Sequence, residues 1–261
     1  MVDGSTPASV SYSRKISDCL SAIWRSGISE VVFPPVCLGC RGLVEDNGAF
    51  RHVCSRCRDV LPLVSPPACS TCGHPFHGDI DGDRTCEHCQ TLEPAFRRGC
   101  TAVLMRGAAR ALVIELKYHR GLHVLTDMAA ILESSPHVLA HLRDAVLVPV
   151  PLHPRKLRER DYNQSHLLAK TMAEVAGGNT RVEQLLERVV DTVTQTAFDR
   201  RRRMANLKNA FALRKGATIL PDQSYILVDD VFTTGSTLNS CAVVLRAAGI
   251  VMLDVVTFGH G

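Results

Sequence analysis

The sequence lacks the features that place a chain in or across a membrane. None of its apolar runs approaches the about 18 residues that a membrane-spanning helix needs. The segment Met1–Ser13 has no basic start, no continuous apolar core and no small-residue cleavage site, all of which a secretory signal would have. We therefore expect a cytoplasmic protein without a membrane span.

Large apolar residues are also scarce between residues 37 and 89, where cysteines are concentrated. Eight of the eleven cysteines form four C-x-x-C pairs, and each cysteine of the first two pairs has a counterpart 32 residues later. The pairs are Cys37/Cys40, Cys54/Cys57, Cys69/Cys72 and Cys86/Cys89. Two residues between thiolates let both sulfurs reach one tetrahedral zinc, and without an export signal metal binding is favoured over disulfides.

Two tandem zinc ribbons would produce this repeat. Zinc binding contributes about 10–16 kcal/mol in small finger peptides, which would replace the stability that a larger apolar core provides. Sequential sites would use the first four cysteines and then the last four, whereas a crossed brace would join the first pair to the third. We predict sequential sites that hold structural zinc. The unpaired Cys19, Cys100 and Cys241 have apolar neighbours and are expected in the core.

A strand that ends in two acids is predicted near the C-terminus of the sequence. Tyr225–Val228 is apolar without alternation, which indicates a buried parallel strand, and Asp229 and Asp230 are expected to end it. Open α/β sheets bind their ligands at the carboxyl ends of the strands. The two acids are therefore expected at the ligand-binding edge of the sheet. The alternative is a solvated acidic turn.

The small residues Thr233–Thr237 follow the acids, directly before a predicted helix from Leu238 to Ala248. The unpaired N–H groups of such a turn and helix N-terminus hold a phosphate group without a cation. Adjacent carboxylates beside it can accept hydrogen bonds from two vicinal hydroxyls, so we expect a sugar phosphate such as ribose 5-phosphate. The turn has neither the lysine of a Walker A loop nor the G-x-G-x-x-G pattern.

Clustered cations follow a second predicted strand, Ala145–Val148. Pro149 and Pro151 are expected to forbid its continuation within the sheet. The loop after them carries four basic residues, Arg155, Lys156, Arg158 and Arg160. A stiff basic loop at the carboxyl end of a strand suits a dense polyanion such as pyrophosphate. A solvated surface loop is the alternative.

A strongly basic segment spans residues 192–211 and contains four consecutive arginines, Arg200 to Arg203. Four consecutive residues cannot share one helix face, so some of them point to solvent. We interpret the segment as a mobile arm that folds over a bound polyphosphate. The alternative is a contact with nucleic-acid phosphates. Base stacking is not supported, because only Phe198 and Phe211 flank the arginines.

The remaining apolar patterns predict alternating strands and helices. We predict strands at Gly99–Met105, Arg181–Leu186 and Ile250–Phe258, and helices at Ala108–Tyr118, Leu122–Leu132 and His166–Ala176. Asn163 or Ser165 is expected to cap the last of these helices. An amphipathic helix is expected at Ile16–Val32, packed against the cysteine-rich segment. The order of the elements predicts a mainly parallel sheet with helices on its faces.

Several motifs together resemble those of the ComF family, in which a double zinc ribbon precedes a type I phosphoribosyltransferase domain. The resemblance extends from about residue 34 to the last residue. It is carried by the four C-x-x-C pairs and by Lys117-Tyr118, Val148–His153, Arg160, Tyr162–Gln164, Thr194-Gln195, Arg203, Asn206 and Val228–Gly235. Two features depart from the family pattern: Asp161 stands where the family usually has Gly, and Phe258–Gly261 lacks the customary Ala-Arg ending.

The resemblance implies an α/β fold class, with a type I phosphoribosyltransferase fold (a mainly parallel sheet flanked by helices) and a small N-terminal zinc-ribbon module. The implied domains are an N-terminal tail with the amphipathic helix at residues 1–33, a double zinc ribbon at 34–97 and a phosphoribosyltransferase domain at 98–261.

The resemblance further implies that the chain binds 5-phosphoribosyl 1-diphosphate (PRPP) with Mg²⁺ and transfers phosphoribose with release of pyrophosphate. The implied catalytic residues are Asp229, Asp230, Arg160 and Lys117. The implied PRPP-binding residues are Val150, Pro151, Asp229, Asp230, Thr233, Thr234, Gly235, Ser236 and Thr237. Gln195, Arg203 and Asn206 would belong to the flexible arm. Thr233 stands where some related enzymes have an acid that serves as a base, so no base is assigned.

Some members of the family are associated with DNA uptake in natural transformation. Single-stranded DNA or a DNA-processing protein is therefore an implied partner. The alternative to an enzyme is a non-catalytic module that senses PRPP or a nucleotide, and that binds DNA or a protein partner through its zinc ribbons and basic arm.

Overall fold

The computed structural model describes residues 35–45, 48–76, 78, 82, 84–189 and 210–261. The predicted N-terminal tail and helix, Cys19 and the arm residues Gln195, Arg203 and Asn206 lie outside these ranges. The eight paired cysteines and the other candidate site residues lie within them.

A parallel sheet forms the centre of the structure. Its strands are β1 (Gly99–Leu104), β2 (Val146–Pro149), β3 (Arg181–Val182), β6 (Tyr225–Phe232) and β7 (Leu253–His260). They are arranged in the order β1-β7-β6-β2-β3, and every neighbouring pair is parallel. Two short strands, β4 (Leu186–Arg188) and β5 (Phe211–Leu213), form a separate antiparallel pair. The predicted α/β class with a mainly parallel sheet is confirmed.

Helices cover both faces of this sheet. They are α1 (Ser55–Asp59), α2 (Glu87–Gln90), α3 (Gly107–Tyr118), α4 (Leu125–Glu133), α5 (Pro136–Leu142), α6 (Pro154–Arg160), α7 (Gln164–Ala176) and α8 (Ser236–Ala247), with a 3-10 turn at Leu122–Val124. Side chains of α3, α4, α5 and α7 share one apolar core, and those of α8 belong to a second core. Among the described residues, no helix combines the length and the apolar character that crossing a bilayer requires.

The central strand β6 contributes to both cores. Ile226 and Val228 join the first core, whereas Tyr225 and Leu227 join the second. Because side chains alternate along a strand, a strand with apolar residues at every position is buried on both faces. The uninterrupted apolar run that predicted a central parallel strand is therefore explained by the packing.

The structure has two cysteine-rich units: the first lies before the segment Pro62–Val64, and the second lies between that segment and β1. They pack on different faces of the sheet. Phe50 and Val53 of the first unit belong to the core of α3, α4, α5 and α7. Cys69, Leu92 and Phe96 of the second unit belong to the core of α8. The few apolar residues between 37 and 89 are thus buried as parts of the larger cores of the α/β fold.

The segment Pro62–Val64, which connects the two cysteine-rich units, covers the outer edge of β1. The Val64 N–H donates to Ala102 O over 2.8 Å, and Pro62 O accepts from the Leu104 N–H over 2.9 Å. The segment runs antiparallel to β1. The edge strand of the sheet is thereby hydrogen-bonded on both sides.

Asp229 and Asp230 do not end β6, as the sequence analysis expected. The strand continues to Phe232, and Asp229 lies opposite Thr257 in the register. The neighbouring β7 extends equally far, so the backbone groups beyond the acids find partners. Strand pairing therefore overrides the low strand preference of aspartate.

The cations after β2 lie on a helix, α6, and the prediction of a loop was wrong. Pro154 occupies the first turn of α6, and His153 Nδ1 accepts a hydrogen bond from the Arg155 N–H over 3.2 Å. Proline favours this position because its fixed φ suits a helix and its missing N–H would have no partner there. Pro149 is the last residue of β2 and pairs with Val228, so β2 also extends one residue further than predicted.

Other elements also differ from the sequence-based expectation. Residues 181–186 were predicted as one strand, but β3 ends at Val182 and β4 begins at Leu186, in different sheets. The last strand is β7 at Leu253–His260, two to three residues later than predicted. Helix α5 was not predicted. It is short, and its two core residues, Val138 and Leu142, are too few to give a clear helical period.

Candidate functional site

The eight paired cysteines form two clusters of four. In each cluster the four Sγ atoms lie within 4.8 Å of one another, and the clusters are Cys37, Cys40, Cys54, Cys57 and Cys69, Cys72, Cys86, Cys89. This grouping is the sequential one that the spacing predicted, not the crossed brace.

The sulfur positions fit a tetrahedral zinc. The Sγ atoms of Cys40 and Cys54 lie 3.6 Å apart, and those of Cys72 and Cys86 lie 3.7 Å apart. Zn–S bonds of about 2.3 Å at tetrahedral angles place two sulfurs about 3.8 Å apart. Four sulfur ligands close the coordination sphere, which is typical of a structural zinc site and not of a catalytic one.

Backbone N–H groups support thiolates at equivalent positions of the two clusters. The Cys54 N–H donates to Cys37 Sγ over 3.4 Å, and the Cys86 N–H donates to Cys69 Sγ over 3.2 Å. Burial and the neighbouring thiols raise the pKa of Cys57 to about 12. Four crowded sulfurs cannot all ionise without a compensating cation, and a divalent zinc supplies that charge.

The two acids of β6 occupy different surroundings. Asp230 Oδ1 lies 2.9 Å from the Nζ atom of Lys117, at the end of α3. Asp230 Oδ2 is buried and has no hydrogen-bond partner among the residues that the structure describes. A buried carboxylate oxygen without a partner is costly, so this atom is a strong candidate to accept a hydrogen bond from a ligand.

Asp229 is held by two donors. Its Oδ1 atom accepts hydrogen bonds from Ser165 Oγ and from the Asp230 N–H, both over 2.9 Å. Burial of the carboxyl group, followed by the charge of Asp230, raises the pKa of Asp229 to about 7, although Lys117 and the two hydrogen bonds act in the opposite direction. Two carboxylates with only one nearby lysine therefore lack positive charge.

The predicted phosphate-binding turn connects β6 to α8. Gly235 has a φ of 71° and precedes the first residue of α8, Ser236. Thr234 Oγ1 lies 2.8 Å from Ser236 Oγ and accepts a hydrogen bond from the Ser236 N–H over 3.4 Å. The helix also begins two residues earlier than predicted, so Ser236 and Thr237 lie in its first turn, where N–H groups have no partner within the helix.

Gly235 is required by two independent features of this turn. Its left-handed backbone conformation is strained for residues with a side chain. A Cβ atom at this position would also lie 2.6 Å from the Cζ atom of Phe232 and 3.0 Å from the Cδ2 atom of Leu92. The second contact brings a residue of the second cysteine-rich unit directly against the turn.

Two basic residues of the predicted site, Lys117 and Arg160, lie around the end of α3. Arg160 is at the end of α6, its guanidinium carbon lies 5.2 Å from the ring centroid of Tyr118, and its Nη1 atom donates to Gln164 Oε1 over 2.9 Å. The hydroxyl of Tyr162 donates to Leu116 O. These contacts place Arg160 beside Lys117, the residue that pairs with Asp230.

The loop after β2 lies next to β6. The Val150 N–H donates to Val228 O over 2.9 Å, and Val150 O accepts a hydrogen bond from Asn163 Nδ2 over 2.9 Å. Val150 is buried, and Pro151 is half-buried. Asn163 also caps α7, as predicted, because its Oδ1 atom accepts from the Ser165 N–H. Asn163 thus fixes the start of the helix that carries Ser165.

The structure brings most predicted site residues to the carboxyl edge of the sheet, but it does not describe the arm. The two ends of the arm are adjacent, because the Val189 N–H donates to Ala210 O over 2.9 Å at the end of the β4–β5 pair. Phe211 of β5 and Leu238 of α8 belong to the same apolar core. The base of the arm therefore lies against the helix that follows the phosphate-binding turn.

Sequence reasoning missed the role of Ser165, which it considered only as a helix cap. It also missed Leu92 and Asn239, which join the second cysteine-rich unit to the turn. No local pattern could have indicated these contacts, because Ser165 is 64 residues from Asp229 and Asn239 is 144 residues from its partner Ala95.

A cavity of about 560 Å³ lies at the opposite, amino edge of the sheet, between β1, α5 and the second cysteine-rich unit. Its charged groups already have partners. Arg97 forms a forked ion pair with Asp254, and His137 Nε2 and His141 Nε2 lie within hydrogen-bond distance of backbone carbonyls. It is distinct from the acidic pair and the phosphate-binding turn.

Comparison with known proteins agrees with this architecture. The model of the double zinc ribbon domain matches residues 28–90. DNA utilization protein YhgH of Salmonella typhimurium is 33% identical over 234 residues, which cover 85% of this chain and 95% of the relative. The chain belongs to the ComF family.

Other ComF proteins are similar over the same length. Competence protein F of Haemophilus influenzae is 28% identical over 231 residues, 84% of this chain and 94% of the relative. Competence protein ComFC of Bacillus subtilis is 22% identical over 233 residues, 82% of this chain and 90% of the relative. The family predicted from the motifs is confirmed, as is the N-terminal double zinc ribbon with its two clusters of four cysteines.

One departure from the ComF pattern has a structural explanation. Asp161 stands at the end of α6 with a φ of 68°, in the left-handed region that favours glycine. Aspartate is among the few residues with a side chain that tolerate this region. Asp161 also pairs with Arg120 over 2.6 Å, at the surface. Asp161 therefore adopts a backbone conformation that is typical of glycine.

Proposed function

We propose that the chain binds PRPP with Mg²⁺ at the carboxyl edge of its sheet and transfers phosphoribose to an acceptor, with release of pyrophosphate. One observation carries the proposal: Asp230 presents a buried carboxylate oxygen without a partner among the described residues, five residues before Gly235 in the turn that begins α8. A sugar phosphate has hydroxyl groups that can donate hydrogen bonds to the carboxylate oxygen. It also has a phosphate group that can bind to the N–H groups of the turn.

Each part of PRPP has a proposed partner. Asp229 and Asp230 accept hydrogen bonds from the two ribose hydroxyls. The 5-phosphate binds in the turn formed by Thr233, Thr234, Gly235, Ser236 and Thr237. The pyrophosphate lies between the Val150-Pro151 loop and the cations Lys117 and Arg160, where the positive charges offset its negative charge.

The acidic pair fits a hard divalent cation. Carboxylate oxygens are suitable ligands for Mg²⁺, directly or through water. The raised pKa of Asp229 supports the same conclusion, because burial and then the charge of Asp230 both disfavour the ionised carboxyl group, and a bound cation would offset both effects. Bound Mg²⁺ would supply positive charge to the pyrophosphate, while Ser165 and the Asp230 N–H hold the carboxyl group of Asp229 in place.

The proposed reaction is a substitution at the anomeric carbon. An acceptor nucleophile forms a bond to that carbon, and the carbon–oxygen bond to pyrophosphate breaks, with the electron pair leaving on the pyrophosphate oxygen. The protein contributes positioning and charge neutralisation. Since Thr233 is not an acid, the chain supplies no base at that position, and the acceptor itself is not identified. The arm with Gln195, Arg203 and Asn206 is proposed to close over PRPP.

The second candidate is a non-catalytic PRPP or nucleotide sensor that binds single-stranded DNA or a DNA-processing protein. It is favoured by the names of the relatives, which refer to competence and to DNA utilization. The four consecutive arginines at residues 200–203 would contact the phosphates.

We also retain the division into residues 1–33, 34–97 and 98–261, and a cytoplasmic location, as proposals. Zinc thiolates are typical of a reducing compartment.

Binding and turnover separate the two candidates. Calorimetry with PRPP and Mg²⁺ is expected to give saturable binding that Asp230→Asn weakens by about tenfold or more, a typical loss for a hydrogen bond to a charged group. Asp222→Asn is the matched control, because it removes the same charge at an exposed position before β6. Absence of PRPP binding to the wild-type chain would contradict the enzyme and would leave the second candidate only as a sensor of nucleotides.

Pyrophosphate release is then measured across nucleobases, amines and other acceptors. Turnover supports the enzyme. PRPP binding without turnover with any acceptor supports the sensor, as does DNA affinity that falls steeply with salt and is lost when the arginines at 200–203 are neutralised.

A further inference from the structure

Asn239 joins the second zinc ribbon to the helix of the phosphate-binding turn. Its Oδ1 atom accepts a hydrogen bond from the Ala95 N–H over 2.7 Å, and its Nδ2 atom donates to Glu93 O over 3.1 Å. Asn239 lies in the first turn of α8, three residues after Ser236. One side chain therefore satisfies two backbone groups of the segment that leaves the last cysteine pair.

The same segment contacts the turn itself. Leu92 follows the ligand Cys89 by three residues and is buried. The space where Gly235 would carry a Cβ atom is bounded by Leu92 and Phe232. The wall behind the left-handed glycine is therefore built in part by the zinc ribbon.

A third contact lies further along α8. The Nε atom of Arg246 donates to Ala95 O over 2.6 Å, and its Nη1 atom donates to Ile250 O over 3.1 Å. Ala95 thus has its N–H held by Asn239 and its carbonyl held by Arg246. The exit of the second ribbon is fixed to α8 at two points.

Aromatic rings also connect the second ribbon to Phe232, the residue before the turn. His260 stacks on Phe232 with ring centroids 5.5 Å apart, and it meets His74 of the second ribbon edge to face at 4.9 Å. The His74 N–H donates to Sγ of the ligand Cys72 over 3.4 Å. A continuous series of contacts therefore links this cysteine cluster to Phe232, which borders Gly235.

The first zinc ribbon is attached at a different place. Its backbone at Arg51 and His52 donates to the buried Asp127 of α4, and Gly39 packs against Ala108 of α3. Ala108 and the ribbon residues Phe50 and Val53 belong to the core on the opposite face of the sheet. Of the two ribbons, only the second is seen to contact the turn and the first turn of α8 among the described residues.

We propose that Asn239 is a positioning residue through which the second zinc ribbon holds the phosphate-binding turn in its binding conformation. The metal of the Cys69 cluster and the 5-phosphate of PRPP are then coupled, although neither contacts the other. The inference rests on the proposed function for the identity of the ligand. The positioning of the turn itself does not depend on that identity.

Coupling of this kind is reciprocal. If zinc in the second ribbon favours phosphate binding, then bound PRPP must favour retention of that zinc by the same factor. A chelator should therefore release one of the two zinc ions more slowly when PRPP and Mg²⁺ are present. Substitution of a residue that only stabilises the fold would leave this effect of PRPP on zinc release unchanged.

The experiment compares the wild-type chain with Asn239→Ala, both loaded with two zinc ions as measured by metal analysis. Hydrogen–deuterium exchange without ligand is expected to be faster at residues 233–239 in the variant, with the core strands unchanged. PRPP affinity should fall by about tenfold, within the usual range of coupling between sites. The slowing of zinc release by PRPP should disappear.

Two further variants control the comparison. Val243→Ala alters an exposed residue one turn further along α8 and should behave like the wild type in all three measurements. Asn239→Asp keeps an acceptor for the Ala95 N–H but loses the donor to Glu93 O, so its exchange at residues 233–239 should be intermediate. If Asn239→Ala leaves exchange at residues 233–239 unchanged, the proposal is overturned.

The outcomes distinguish this proposal from the proposed function. If the wild-type chain fails to bind PRPP, the proposed function fails, and the exchange measurement still decides the positioning role of Asn239. If both proteins bind PRPP equally and zinc release is slowed equally, the function stands and the coupling is refuted.

Discussion

Lys117 at the end of α3 forms an ion pair with Asp230 of β6, with 2.9 Å between Nζ and Oδ1. The side chain of Asp230 is 6% exposed and that of Lys117 is 22% exposed. The pair therefore joins a helix to the central strand in a largely dry environment, and it leaves the second oxygen of Asp230 for a ligand. The loss of either partner should affect both stability and binding.

Replacing Lys117 with methionine removes the cation that pairs with Asp230. We expect the free energy of unfolding at pH 8 to fall by about 1–3 kcal/mol, less than for a fully buried pair because the lysine is partly exposed. PRPP affinity should fall as well. Urea denaturation measures the first effect, and Lys170→Met, at an exposed position on α7, is the control. Equal stability of the two variants would contradict the assignment.

The raised pKa of Asp229 predicts a specific pH dependence. The pKa rises from an ordinary 3.8 to about 7 on folding, so between these values the folded state binds this proton more tightly than the unfolded state. The contribution of this group to stability is therefore lost as the pH rises towards about 7 and is constant above it. Part of the free energy of unfolding should disappear between pH 6 and pH 7.5.

Denaturation of the wild type and of Asp229→Asn across this interval tests that sign. The difference between the two proteins should change with pH in the direction that favours the variant at higher pH. Because the zinc thiolates are the same in both proteins, their own titration cancels in the difference. A difference that does not vary with pH would show that the carboxyl group has an ordinary pKa.

Metal analysis should find two zinc ions per chain, one for each cluster. Cys57→Ser and Cys89→Ser should each lower the content to one, because three cysteines bind zinc more weakly than four. Under sequential pairing, Cys57→Ser should release the ion of the first ribbon and leave exchange protection around Cys69–Cys89 intact. Loss of protection in both ribbons would favour the crossed arrangement.

Asp127 is expected to be the main attachment of the first ribbon. Its side chain is fully buried, and its Oδ1 atom accepts from the N–H groups of Arg51 and His52 over 3.1 Å and 2.9 Å. Asp127→Asn should lower the free energy of unfolding by about 2–4 kcal/mol, because two hydrogen bonds lose their charged acceptor. Asp59→Asn, at an exposed position of the same ribbon, should have little effect. PRPP affinity of the folded Asp127→Asn variant should be unchanged.

The sequence predicted those features that depend on residues close together in the chain. The cysteine clusters follow from a two-residue spacing within pairs and a 32-residue repeat, and the turn at Thr233–Thr237 follows from small residues after an apolar strand. The extension of β6 through its acids was not predictable, because it depends on β7 pairing with it as far as His260. Likewise, the contacts of Ser165 and Asn239 depend on how distant segments pack.

Helix α6 stands where the sequence analysis predicted a loop. Pro149 and Pro151 predict a stiff loop, yet the next proline, Pro154, begins a helix. A proline stops a helix only when it stands in the interior, so His153 followed by Pro154 and a run of helix-favouring residues indicated a helix start. Recognising this signal would have placed the four cations on one helix.

The segment Pro62–Val64 has a consequence for how this chain can be divided. Because it pairs with β1, removal of residues before 98 would leave Ala102 and Leu104 with unmatched backbone groups on an apolar edge. An unprotected strand of this kind recruits strands of other molecules. The α/β domain expressed alone should therefore self-associate or precipitate, so one role of the N-terminal module is to keep the molecule from polymerising.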